Sequence, residues 1–169
     1  MHQPMRRRRQ LLPEEETVAM LDAATSGVLA VMGEDGYPYA VPLSFAYEDG
    51  SLYFHSSRAG HKLDAIAHSD KASFCVIADD DVVQSTFTTH FRSVIVFGRI
   101  GVLSDDERRR HALMLLAEKY SPDYLDDAAA EIERSWNRMC VLELVVEEMT
   151  GKAAIEIIEE RDQKAKAAE

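Results

Sequence analysis

Eight consecutive residues, His55-Ser56-Ser57-Arg58-Ala59-Gly60-His61-Lys62, gather two hydroxyls, two imidazoles, an arginine, a lysine and a glycine. Leu63, Ile66 and Ala67 follow at helical spacing, so the segment reads as the loop leading into a helix. There, free backbone N–H groups and the helix dipole would add to Arg58 and Lys62 in holding a phosphate. A solvated loop with a helix-capping serine fits the same residues. Two further stretches carry chemistry. Arg92 and Ser93 open an apolar run ending at Gly98, either as polar groups at the mouth of a site or as the polar end of a buried strand. From Tyr37 to Tyr47 bulky and small residues alternate, and Ala40, Pro42 and Ser44 leave one face flat. That face suits a planar ring or a close-packed seam between two copies. Together the three stretches describe a phosphate anchor, a flat platform and polar groups for ring edges.

The elements that must position these residues follow from period and turn chemistry. Pro13-Glu14-Glu15-Glu16 is a good first helical turn, since proline tolerates that position and carboxylates favour the positive end of the dipole. Gly27 to Met32 is a short apolar strand, Glu34-Asp35-Gly36 a hairpin turn, and Tyr37 to Tyr47 a second strand with period two. Pro38 and Pro42 share a parity, which predicts an edge, a bulge or a ligand-facing side. Asp49-Gly50 leads into Leu52-Tyr53-Phe54, giving a three-stranded meander. Ala72 to Ala78 and Ser93 to Val102 are two more strands around a Thr-rich hairpin or loop. A capping box at Ser104-Asp105-Asp106-Glu107 starts a helix to about Tyr120. A shorter helix carries Leu125 to Arg134, and Cys140 to Val146 is a last strand. The expectation is a mainly β (α+β) fold: a six-stranded antiparallel split β-barrel with peripheral helices. One domain covers 13–155, between a basic disordered tail at 1–12, with Arg6 to Arg9, and a charged, fraying tail at 156–169.

A chain of 169 residues with 46% hydrophobic and 29% charged content suits one globular core. Thirty acidic residues against 19 basic ones leave a net charge of −11, which opposes nucleic acid and anionic membranes as partners. The two cysteines, Cys75 and Cys140, form no CxxC pair or zinc-spaced cluster and read as reduced core residues, so no metal is expected. With no apolar run near the length of a membrane span, the expectation is a cytoplasmic, soluble protein.

The motifs, in order, resemble those of the pyridoxamine-phosphate-oxidase-like FMN-binding split-barrel superfamily, most closely its nitroimidazole-resistance group. The stretches concerned are Gly27-Val28-Leu29-Ala30, Gly36 to Leu43, Tyr53-Phe54-His55-Ser56 with Gly60-His61-Lys62, Arg92-Ser93-Val94 with Gly98, and Thr150-Gly151-Lys152. The resemblance implies FMN as cofactor, with FAD or haem as alternatives, held in a groove between the two chains of a homodimer. It implies that Tyr39, Val41, Pro42, Leu43 and Ser44 lie along the flavin, that His55 and Ser56 meet its ribityl chain and ring, and that Lys62 meets the phosphate, with Ser57 and Arg58 of the same loop as further cofactor-binding residues, Arg58 as a second cation for the anchor. It places Arg92 and Ser93 beside them, and Trp136 over the site. His61 is implied as a residue for substrate contact or protonation, and an imidazole can deliver a proton at neutral pH. Where the vitamin-processing oxidases carry Ser-Arg-Lys this chain has Gly60-His61-Lys62, and where they carry an arginine it has Tyr39. Oxidation of pyridoxamine phosphate is therefore not the expected reaction.

The expected function is FMN-dependent reduction of small, electron-poor, nitro-aromatic-like acceptors. No GxGxxG fingerprint follows a strand, so NADH or NADPH would bind only transiently as donor. The alternative is a non-catalytic flavin- or haem-binding protein, with His55, His61 and His90 as candidate haem ligands.

Overall fold

The structure is a computed structural model and describes residues 5–167. Residues 1–4 and 168–169 of the two expected tails lie outside the described residues. Helix α1 (Glu14–Ala23) precedes strands β1 (Gly27–Met32), β2 (Pro38–Leu43), β3 (Ala46–Glu48) and β4 (Ser51–Ser57). Helix α2 (His61–His68) leads to β5 (Lys71–Val83) and β6 (Thr88–Val102). Helices α3 (Asp106–Tyr120) and α4 (Leu125–Ser135), strand β7 (Met139–Ala153) and helix α5 (Ile155–Ala167) complete the chain.

All seven strands join one antiparallel sheet in the order β2-β1-β5-β6-β7-β4-β3. The edge strands β2 and β3 are joined only by Ser44 and Phe45. Three Cα steps span at most roughly 11 Å, so the two edges of the sheet must curl toward each other. The result is a barrel split along that seam. The seventh strand arises here: the expected single strand from Tyr37 to Tyr47 breaks at Ser44–Phe45, and its halves pair at opposite edges, so the expected meander is two separate hairpins. Tyr120 holds the break. Its hydroxyl accepts from Phe45 N at 2.8 Å and lies 2.8 Å from the carbonyls of both Thr25 and Phe45.

The barrel interior is apolar because alternate residues of each strand face it. Leu29, Val31, Phe54, Phe74, Val76, Val94, Val96, Leu142 and Leu144 are buried there with Phe45. Phe74 meets Phe45 and Phe54 edge to face at 4.8 and 5.2 Å, pairs worth about 0.5–1.5 kcal/mol each beyond their burial. A second cluster joins Tyr53 and Val141 to Ala112, Leu113, Leu116 and Ile132, so α3 and α4 cover the outer face of β4 and β7. Gly98 lies at the irregularity between β6 and β7, where a Cβ would stand 2.0 Å from the Val145 carbonyl.

Several expectations about element ends change. Asp105, not Ser104, caps α3, its carboxylate accepting from Arg108 N at 2.8 Å. The Thr-rich segment is a hairpin extension, Asp79–Val83 against Thr88–Arg92, with Phe87 almost fully exposed at its tip. Neither tail behaves as a bare polar segment. Gln10 and Leu12 are buried, Leu12 N donates to Gly151 O at 3.0 Å, and Leu11 bridges Lys152. Residues 155–167 are helical, with Ile158 buried against Leu12 and Ala153 and with Arg161 paired to Glu16 at 2.9 Å. The apolar residues Leu12, Ile155 and Ile158, spaced among charges, give both ends something to bury.

Candidate functional site

Strand β4 ends, and α2 begins, in the His55–Lys62 segment. Ser57 Oγ donates to Ala59 O at 2.9 Å, and Gly60 turns the chain at φ +131°, a backbone conformation that L side chains resist. No side chain caps α2; Leu63 N and Asp64 N donate to Gly60 O at 2.8 and 3.2 Å, and the N–H groups of His61 and Lys62 are left without an intrahelical partner. His55, Ser57, Arg58 and His61 are exposed around this turn, and Lys62 is half-buried. Ser56 alternates inward: it is buried, and its Oγ has no hydrogen-bond partner. Buried hydroxyls without partners are uncommon, which makes this one a natural contact for a bound polar group.

Opposite Ser56 on β7 stands Cys140, and directly opposed residues share a face of the sheet. The Cys140 thiol donates to Ser57 O at 3.4 Å. Burial pushes its pKa up, and the charges of Lys62, Arg58 and Arg109 pull it partly back. Arg58 donates to Asn137 O at 3.3 Å, tying the loop to the turn after α4. The turn is thus locally cationic in a chain of net charge −11.

Strand β2 reaches the same region. The Tyr39 ring meets His61 edge-on at 6.1 Å, and both line a recess of about 320 Å³ with Tyr37, Asp64 and the turn at Gly33 to Asp35. As an edge strand, β2 accommodates Pro38 and Pro42 because their missing N–H groups can face the open side. Its two faces differ. Tyr39, Val41 and Leu43 pack partly against the barrel core, whereas Ala40, Pro42 and Ser44 are exposed. The five β2-segment residues expected along a ring cannot all reach it with side chains; one parity can do so only through the backbone at the open edge.

Three expected members lie elsewhere. Arg92 and Ser93 pair with Ala153 and Lys152, while Ser56 pairs with Cys140, so their partners stand thirteen and twelve residues from that of Ser56 on β7, roughly 40 Å of strand. Arg92 instead bonds Asp79 at 2.6 Å and faces the cavity between α1 and the β5–β6 hairpin. Within one chain the three stretches therefore do not converge, because β6 carries its polar start to the far end of the sheet. Trp136 does not cover the junction with its ring, which stacks under the guanidiniums of Arg109 at 3.8 Å and Arg110 at 4.4 Å. His90, beyond Arg92 on β6, is likewise remote from His55, so the three histidines do not form one haem-ligand set within the chain. Among the described residues no cluster of His, Cys, Asp and Glu could hold a metal.

Two neighbours of the junction escaped the sequence reading. Cys140 looked like any core cysteine, and nothing local marks its register opposite Ser56. Arg109 belongs to Arg108-Arg109-Arg110, a basic triplet in an acidic chain that could have been noticed.

The outer face of β1, β5 and β6 remains uncovered. By register Pro42, Val28, Cys75, Ile95 and Thr150 form one row across five strands, and Val28, Ile77 and Ile95 are 39%, 68% and 42% exposed. Among the described residues no helix is long and apolar enough to cross a membrane.

The seven-stranded antiparallel sheet with the five α-helices of the described residues is an α+β split-barrel fold. The chain belongs to the pyridoxamine 5'-phosphate oxidase family, whose model matches residues 13–153. A candidate 5-nitroimidazole antibiotic resistance protein of Bacteroides thetaiotaomicron is similar, with 24% identity and a TM-score of 0.70 over 85% of this chain and 86% of that one. A conserved hypothetical protein of Mycobacterium tuberculosis gives 18% identity and a TM-score of 0.76 over 89% and 90% of the two chains. An FAD and haem binding protein of Mycobacterium smegmatis gives 23% and 0.70 over 86% of this chain and 73% of its own. These likenesses establish the fold. No curated protein matches the chain.

Proposed function

We propose that this chain is an FMN-dependent reductase of the nitroimidazole-resistance kind, holding its flavin between two copies and acting on small, electron-poor acceptors such as nitro-aromatics. The observation that carries the reading is the junction at the end of β4, where the unpartnered Ser56 hydroxyl, the uncapped start of α2, Arg58 and Lys62 meet beside the Tyr39–His61 contact. An orphaned buried hydroxyl next to cations fits a phosphorylated, hydroxyl-rich cofactor. Lys62 and the α2 N–H groups would hold its phosphate, and the open edge of β2 would lie along its ring. FMN supplies hydride and single-electron chemistry when bound. His61, exposed at the edge of the recess, would contact the acceptor and deliver a proton to it. Arg92 and Ser93 are too remote to serve the junction of their own chain and would serve that of the second copy. The positions of Tyr39 and of Gly60-His61 argue against pyridoxamine phosphate as substrate, and NADH or NADPH is the proposed donor.

Purified protein should show the two visible bands of an oxidised flavin; a single intense haem band would favour the non-catalytic alternative. Lys62→Ala should weaken FMN binding by about tenfold, about 1.4 kcal/mol, in a fluorescence titration. Anaerobic NADH or NADPH should bleach the flavin bands and a nitro-aromatic should restore them. Unchanged FMN affinity in Lys62→Ala counts against the phosphate assignment, and failure of both nucleotides to bleach counts against the reductase.

A further inference from the structure

The β5–β6 hairpin runs past the barrel as an arm whose two faces differ. Directly opposed residues share a face, so Cys75–Ile95 and Ile77–Ser93, then Asp80–Phe91 and Val82–Thr89 beyond the irregularity between Ile77 and Asp79, form one outer face. It carries the apolar row of the sheet onward through exposed Ile77 and Val82, with Phe91 half-buried beside Lys152. On the other face Asp79, Asp81, His90 and Arg92 border a space shared with Ile157, Glu160, Arg161 and Lys164 of α5. The arm is therefore backed by α5 and open in front.

At the tip stands Phe87, 97% exposed and at φ +55°, a left-handed conformation that bulky side chains bear at a cost. Neither packing nor backbone within the chain favours an aromatic there. The charges of the arm sit at its base, and residues 82–89 carry none, in a chain of net charge −11. An uncharged end with an exposed aromatic at its apex suits a docking partner better than water. Tyr37, at the rim of the recess it shares with Tyr39 and His61, is at 75% the next most exposed large hydrophobic residue among the described residues. The two cannot meet within one chain, because the arm leaves the sheet at the Gly27 end of β1 and Tyr37 lies past its Met32 end. A second copy stacked head to tail on the outer face brings them together. The arm reaches eight residues beyond Ile95, about 26 Å, while Tyr37 lies five residues past Pro42 and three strands from β6, about 22 Å along the diagonal.

We propose that in a dimer of this chain each arm crosses the outer face of the second copy and sets its Phe87 against that copy's Tyr37, roofing the recess that His61 borders. This rests on the two-copy reading above and is independent of which cofactor is bound. An acceptor in the recess then lies between Tyr39 and His61 of one chain and Phe87 of the other, which makes Phe87 a specificity residue supplied by the second copy.

The test places Phe87→Cys and Tyr37→Cys together in a full chain that also carries Cys75→Ala, and treats it with a short bis-maleimide. A covalent dimer on a denaturing gel is expected for the pair and for neither single variant. No dimer above that of the singles, or one formed as readily by Phe87→Cys alone, overturns the proposal, as does sedimentation of the parent as a monomer. Phe87→Gly in the otherwise unaltered chain supplies a second readout, since glycine accepts the positive φ and keeps the hairpin. It should leave the dimer intact and FMN affinity within twofold, and raise the KM for a nitro-aromatic at least fivefold with kcat within twofold. An unchanged KM in a protein that reduces the acceptor overturns the roofing of the recess. A protein that cross-links as expected but is bleached by neither nucleotide overturns the reductase reading and upholds the docking.

Discussion

At the scale of single residues, Tyr120 illustrates how one hydroxyl can decide the local geometry of a sheet. The β1–β2 ladder runs to Gly27 and Leu43, and just beyond it the two strands fork. Tyr120 stands in the fork, satisfying Phe45 N, while Lys119 donates to Leu21 O at 2.9 Å and lies 4.2 Å from the Phe45 ring. Tyr120→Phe leaves the Phe45 N–H without its partner, and the expected loss is about 1–3 kcal/mol in chemical denaturation. A loss below about 0.5 kcal/mol would mean that water replaces the hydroxyl there. Nothing in the sequence marks Tyr120, since its partners are 75 and 95 residues away. The cysteines make a second case. Burial raises the pKa of both Cys75 and Cys140, so the unfolded chain gives up these protons at lower pH than the folded one. Their contribution to stability is complete below the ordinary thiol range and is lost as pH rises through the raised values. Denaturation midpoints should fall as pH rises above the ordinary thiol range in the parent, and Cys75→Ala with Cys140→Ala together should flatten that fall.

At the scale of elements, the strands around the core were legible because a period of two needs only alternating side chains, as in Leu29, Val31 and in Phe74, Val76. The junction at His55–Lys62 was legible for the same reason that makes it a candidate site: polar and cationic residues interrupt a strand just before a helical pattern. What sequence could not supply was pairing. The break at Ser44–Phe45 depends on partners at opposite edges of the sheet, and the distance of Arg92 from Ser56 depends on which end of β7 each strand meets. The chain ends were misread for another reason. Their composition is polar overall, but a few apolar residues suffice when a groove already exists beside β7. Ile158 shows the consequence, being 6% exposed among Leu12, Ala153 and Ile157. Ile158→Ala should cost about 2 kcal/mol of stability, toward the low end for buried Ile because the cluster is small and peripheral. FMN affinity should not change, since α5 lies at the end of β7 opposite the junction. A stability change within about 0.5 kcal/mol would return the segment to the role of a frayed tail.

At the scale of the whole molecule, the row from Pro42 through Val28, Cys75 and Ile95 to Thr150 keeps Pro42, Val28 and Ile95 exposed and Cys75 and Thr150 half-buried, and Arg92 stands far from the junction along β7. Both facts have one resolution if a second copy stacks on this face, for it would cover the row and bring its own Arg92 and Ser93 toward the first chain's junction. Val28, Ile77 and Ile95 give such a contact an apolar centre, and the exposed Arg92–Asp79 pair gives it a polar margin. Ile95→Lys places a charge at the middle of the row without touching the barrel interior, where Val94 and Val96 alternate with it. Sedimentation should show the parent as a dimer and this variant as a monomer of unchanged far-ultraviolet circular dichroism, with FMN affinity reduced tenfold or more. A monomer that keeps its FMN affinity would assign the whole site to one chain, and Arg92 would then have only its ion pair with Asp79 to explain it.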